Sequence, residues 1–282
     1  TTRLTEAEAL ESFRSLHPEQ VDSGNTVHAA IPERLQNLCR NSAGAQTIVF
    51  SLLLAKDQKT RTAELNLLRK SFDQKRVDII SELADEVVEI HSTLKLSLTD
   101  LAIPSLRHLS AGEYDHFRKL AHELITSDRQ VDLFEFALLQ VVTRHLDTSF
   151  GRRRPPRIKY NNFRRLTDDA GVLLSTLAAL GHPNKPEQAD AAFQAAAAAL
   201  KEATGFSVAH KSGEECGLEA IETSLKQFEH SNPIIKRQLI EACTRSVLMD
   251  GGVSSSEAEL IRAISDAIGC PIPPFVRTAP LV

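Results

Sequence analysis

Between residues 73 and 97 the apolar positions recur every three or four residues, at Val77, Ile80, Leu83, Val87, Ile90 and Leu94. That is the period of an amphipathic helix. Asp78, Glu82, Asp85, Glu86 and Glu89 fall on its other sides and read as a solvated face. Shorter stretches with helical spacing or unbroken apolar character predict further helices over 5–16, 32–39, 45–55, 61–72, 113–126, 133–146, 167–180, 217–230, 233–249 and 257–268. Another runs from a cap at Asn184 to a stop at Gly205, and within it 191–200 is nearly pure alanine, the best helix former. Pro104 predicts a short or broken helix over 100–109. No convincing strand pattern is present. The expected fold class is all-α: a bundle of about 11–13 helices built from two similar helical units, without a sheet.

The punctuation agrees with this reading. Ser110 with Glu113, Thr5 with Glu8 and Asn184 with Glu187 have the spacing of a capping box. Thr167 and Asn232 are expected to cap as well, with Pro233 in a first turn and Gly181 and Gly205 as stops. One arrangement occurs twice. An apolar run ends at an Asp; Val follows three positions on, then a capping residue, then Glu seven after the Asp. Thus Asp128, Val131, Asp132, Glu135 and Leu138 recur as Asp250, Val253, Ser254, Glu257 and Leu260. The unit is helix, acidic turn, helix. A fainter copy runs from Asp57 to Glu64, with Arg61 where the cap is expected. Two readings of the turns stay open. In one, Asp132, Glu135, Ser254 and Glu257 close capping boxes. In the other, Asp250 and Glu257 bind a divalent metal, since an Asp and a Glu around a Gly-Gly turn are similar in part to a calcium loop. A calcium site needs six to eight oxygens, and the fragments present favour the structural reading.

Composition narrows the function classes. A formal charge of −4 and a pI near 6.2 give no global pull toward nucleic acid or an anionic surface. The longest apolar runs, 48–55 and 172–180, fall short of the roughly 20 residues of a membrane helix, so no direct membrane insertion is expected. Cys39, Cys216, Cys243 and Cys270 are scattered, which fits four reduced thiols and a cytoplasmic setting. The first residue is Thr and no signal-peptide pattern follows, so the chain is expected to be a piece of a longer protein.

Residues 150–165 depart from the acidic background, with seven basic residues and no acid. Pro155-Pro156 blocks helix, so an extended connector between the two units is expected, lying across an acidic helical surface such as that of 78–89. The other reading is a contact strip of Arg152, Arg153, Arg154, Arg157 and Lys159 for phosphates, with Tyr160 and Phe163 as stacking groups. The connector is favoured and nucleic acid disfavoured, because the rest of the chain is net negative. The resulting domain division is 1–30, a linker with a short helix; 31–150, a first helical unit; 151–165, the connector; and 166–282, a second unit.

No catalytic residue is assigned. His122-Glu123 begins an H-E-x-x-H, in which two His on one helix face bind zinc and Glu activates water, but Thr126 stands where the second His belongs. His108, His116 and His145 have no zinc-site spacing. Ser92-Thr-Leu-Lys95 matches S-x-x-K by letters alone, without its partner motifs.

The paired D-x-x-V-[DS]-x-x-E turns resemble the TerB-like helical domain, whose acidic residues are linked to metal binding, and the resemblance implies Asp128, Asp250 and Glu257 as candidate metal ligands. The order of features is similar to the C-terminal extension of bacterial membrane-bound M48, Ste24-like zinc peptidases. The residues are 43–54 (AGAQTIVFSLLL), the helix pair of 113–146, 153–160 (RRPPRIKY), 173–182 (LLSTLAALGH), 235–243 (IKRQLIEAC) and 270–274 (CPIPP). The resemblance implies a non-catalytic accessory or interaction domain, with zinc only in the parent peptidase domain and no cofactor in this chain. It implies as partner that peptidase and membrane domain or another protein, at the bacterial inner membrane, with this region expected on the cytoplasmic side. An independent TerB-like module binding a divalent metal or a partner protein is the alternative. Substrate and oligomeric state stay open.

Overall fold

The computed structural model describes residues 30–90, 93–127, 133–153, 156–249 and 255–272. Among them are twelve α-helices, two short 3-10 helices and no strand; the nearest thing to sheet is one isolated parallel bridge between Tyr160 and Ser231. The described residues fall into two compact units, 30–153 and 156–272. The predicted helix over 5–16 lies outside the described residues.

The first unit runs α1 (Glu33–Leu38), α2 (Ser42–Leu52), α3 (Gln58–Leu68), α4 (Gln74–Glu89), α5 (Thr93–Leu106), α6 (Ala111–Ile125) and α7 (Leu133–Ser149). Its packing centre is α2, buried from Thr47 to Leu52 without interruption. A helix that is apolar all round belongs in a core, and α2 packs against α1, α4 and α5. Phe50 anchors an aromatic cluster, with its ring 5.3 Å from Phe117 and 5.6 Å from Phe72. Gly44 permits the tight α1–α2 turn: a Cβ there would run into the carbonyl oxygen of Leu38.

The second unit runs through a 3-10 helix (Phe163–Leu166), α8 (Thr167–Gly181), α9 (Pro186–Thr204), a second 3-10 helix (Gly213–Cys216), α10 (Leu218–Glu229), α11 (Pro233–Val247) and α12 (Ser255–Ala267). Here α8 is the central rod, buried from Ala170 to Ala178, and it touches α9, α10 and α11. The alanines of α9 do what small side chains allow. Ala192 and Ala196 are fully buried, and α9 makes its broadest contact with α11. Among the described residues no helix is long and apolar enough to cross a membrane.

Several element boundaries differ from the sequence expectations. The long helix expected over 73–97 is two. The first, α4, ends where Ile90 turns extended at φ −69°, ψ 139°, and Leu94 belongs to α5. The apolar spacing runs on across the break, so periodicity alone does not show it. Conversely, the helix expected to break at Pro104 continues to Leu106, because a proline in the last turn removes only one late hydrogen bond. Thr167 does not cap α8. The preceding 3-10 helix already places it at φ −63°, ψ −41°, and its hydroxyl donates to the Arg164 carbonyl; Asn162 caps that 3-10 helix instead. The Asn184–Glu187 box does not form, since Pro186 starts α9 and Asn184 sits at φ 62°, outside the helix. Ser110 and Glu113 do form their reciprocal box, and Asn232 accepts from the Ile235 amide at 2.9 Å.

Candidate functional site

The two acidic turns meet the described structure only at their far ends. Asp128, Asp132, Asp250 and Ser254 lie outside the described residues; Glu135 and Glu257 stand in the first turns of α7 and α12. Glu257 is half-buried and reaches toward the end of α8, with Oε1 3.4 Å from where a Cβ on Gly181 would stand. The fainter copy is fully described. Asp57 caps α3 itself, accepting from the Lys59 and Thr60 amides, and those hydrogen bonds, with Thr60 foremost, hold its carboxyl below the usual carboxylate range. Glu64 is buried and accepts the Ala55 amide at 2.8 Å. Arg61, at the place expected for a cap, is already inside the helix and pairs with Asp85 on α4 at 2.6 Å. This copy is therefore a helix–acidic turn–helix whose cap is the Asp, one turn earlier than the repeat pattern places it. Among the described residues no group of three or more His, Cys, Asp and Glu is arranged to hold a metal ion.

The basic stretch is shared between the two units, with Arg154 outside the described residues. In the first unit, Arg152 pairs with Asp115 at 2.6 Å, and the amides of Arg152 and Arg153 both donate to the Asp147 carbonyl at the end of α7. The Asp147 side chain accepts from the buried Tyr114 hydroxyl at 2.6 Å and stands 3.5 Å from Arg118. Burial, then the bond to Asp147, pushes the Tyr114 phenol well up. Burial, with Arg144 close by, lowers Arg153. These arginines finish a helix end.

In the second unit, Arg157–Asn161 is sewn to the α10–α11 junction. The amides of Lys159 and Tyr160 donate to the His230 carbonyl at 2.8 and 3.2 Å, and the Asn232 amide returns to the Tyr160 carbonyl at 3.0 Å. His230 Nδ1 lies 3.0 Å from the Arg157 carbonyl, and the Tyr160 hydroxyl donates to Gln227. The segment is not helical, and the surface beneath it is this junction rather than the acidic face of 78–89. The two residues expected to stack on bases do not stand free: Phe163 is buried, with its ring 6.0 Å from Phe228, and Tyr160 is half-buried.

His122 is exposed on α6, and its carbonyl accepts from the Thr126 hydroxyl at 2.8 Å. Of the other histidines, His116 only edges the Phe72 ring, at 6.3 Å.

Three features had gone unread in the sequence. One is an open cleft of about 570 Å³ between the start of α8 and α10, lined by Asp168, Asp169, Glu214 and Glu219 among others. Burial raises the Asp169 carboxyl, and its hydrogen bond with Ser224 partly offsets this. Lys211 reaches Asp168 at 3.1 Å, its ammonium raised mainly by that bond. The cleft joins residues some 50 apart, so no local motif announces it. The second is a cleft of about 540 Å³ over the alanines of α9, rimmed by Glu202, Gln238, Glu241 and Arg245. The third is an ion pair within α12, where Arg262 and Glu259 meet at 2.7 Å with side chains only 6% and 1% exposed. Its E-x-x-R spacing is visible in the sequence, but its burial is not.

No family model matches the chain, and comparisons with curated proteins and with solved structures find no match.

Proposed function

We propose that this chain is the non-catalytic accessory region of a bacterial membrane-bound zinc metallopeptidase of the M48, Ste24-like type. It consists of two TerB-like helical units and acts by binding its own peptidase domain or another protein. The observation that carries the reading is where the resembling segments fall. Residues 43–54 supply α2 and 173–182 most of α8, the helices on which the two units are packed, while 235–243 lie in α11. A chain that keeps these segments as interior supports uses them as scaffold, which suits an interaction module. In this reading zinc belongs to the parent, which sits in the inner membrane with this region on the cytoplasmic side. Position 126, where a second zinc ligand would be needed, is a threonine tied to its own helix end.

The test is to incubate the purified chain with zinc and an unfolded protein, and separately with a detergent-solubilised peptidase of this type. The chain alone is expected to leave the substrate intact, and to co-purify with the peptidase. Cleavage that a chelator abolishes and that survives repurification overturns the reading, as does failure to co-purify.

A further inference from the structure

The seam at the α10–α11 junction presents a ridge that the scaffold reading does not use. Between residues 157 and 165 stand Arg157, Lys159, Arg164 and Arg165, all exposed, with no acidic residue among them. No ion pair ties any of the four to an acidic group among the described residues, whereas Arg152, Lys211 and Lys226 are each held by a carboxylate. The same stretch and the next helix also expose two isoleucines. Ile158, between Arg157 and Lys159, is 55% exposed, and Ile234, in the first turn of α11, is 68% exposed. They flank one set of hydrogen bonds: Lys159 amide to His230, Asn232 amide to Tyr160, and Asn232 side chain to Asn161. The backbone that carries them is therefore fixed.

We infer that this ridge docks the second unit on an anionic lipid surface. Unpaired Arg and Lys around protruding aliphatic side chains are what a bilayer interface takes: the cations meet lipid phosphates, and the isoleucines enter the headgroup boundary. A peptide would need a groove, and neither cleft described above is lined by any of these six residues. A single-stranded nucleic acid would need free aromatic faces, and Phe163 and Tyr160 are occupied. The chain's net charge of −4 makes the contact local, because the remaining surface is repelled by the same lipids. The inference stands apart from the peptidase reading, since it needs no parent protein.

The experiment is sedimentation of the full chain with vesicles of phosphatidylcholine alone and of phosphatidylcholine with about one-third phosphatidylserine. Binding is expected only to the anionic vesicles, and is expected to weaken as salt rises. The double change Arg157→Gln with Lys159→Gln removes two basic contacts and should weaken binding about thirtyfold. Ile158→Ser should weaken it as well. Lys201→Gln, an exposed cation on α9 of the same unit, should leave it unchanged, and circular dichroism should show every variant folded. Equal binding to neutral vesicles, no binding to either, or equal loss in Lys201→Gln overturns the inference. So does tight binding to an oligonucleotide or to polyglutamate that the double variant abolishes while vesicles stay unbound.

Discussion

Asp169 shows how burial sets the behaviour of one carboxyl. It lies half-buried at the head of α8 beside Asp168, and burial outweighs its hydrogen bond with Ser224, so its folded pKa is above the unfolded value of 3.8. Folding therefore takes up a proton in the window between the two pKa values. A penalty for the charged form appears as the pH rises through that window and is complete above it. Asp169→Asn is expected to raise the melting temperature at neutral pH, and the gain should shrink as the pH falls through the carboxylate range to below the unfolded value of 3.8. Thermal scans across that range check it; a gain of the same size at both ends, or a loss at neutral pH, contradicts the assignment. Cys243 follows the same physics. Full burial pushes its thiol up to about 12, so it is an inert packing group.

At the scale of the element, the α1–α2 turn depends on one missing methyl group. Gly44→Ala puts a Cβ against the Leu38 carbonyl, a backbone atom that cannot swing aside. A loss of about 1–3 kcal/mol is expected. Gly112→Ala, on α6 with nothing within 4 Å, should instead add up to about 1 kcal/mol. Urea titrations of the pair should give opposite signs; like signs would show that the α1–α2 approach is not tight. Such contacts mark the limit of what the sequence discloses. The helices themselves were legible, because apolar period, caps and stops are local signals, and Ser110–Glu113 and Asn232 behave as their spacing predicts. Boundaries were misread where a neighbouring element decides them, as the 3-10 helix does for Thr167 and Pro186 does for Asn184. The candidate sites were less legible. The basic stretch could be seen, but that Tyr160 and Phe163 would face inward follows from packing against Gln227 and Phe228, about 65 residues away. The acidic cleft had no local signature at all.

For the whole molecule, the choice between scaffold and metal site at the acidic turns rests on how the chain responds to cations. The described copy, in which Glu64 serves a backbone amide, favours scaffold. Glu257→Ala should then cost about 0.5–2 kcal/mol whether or not calcium, magnesium or zinc is added. Calorimetric titration of the intact chain should show no saturable divalent site. A single saturable site that Asp250→Asn removes would reverse the assignment, since a bound ion stabilises the fold by mass action.

The seam under the basic ridge has one more consequence, and it concerns time. Its bonds join residues 67 to 73 apart in the chain, so they close a loop that holds nearly all of α8, α9 and α10. The entropy lost on closing a loop grows with its length, by about 0.6 kcal/mol for each doubling. Those helices, with their local contacts, can form well before the seam can hold. The cationic ridge is thus an attribute of the finished unit. A chain cut short before residue 227 has the same arginines and lysine, but not the partners that fix Lys159 and Tyr160 in place. Affinity at the ridge then reports that folding of the unit is complete, and the amides of Lys159, Tyr160 and Asn232 should be among the first in it to exchange with solvent.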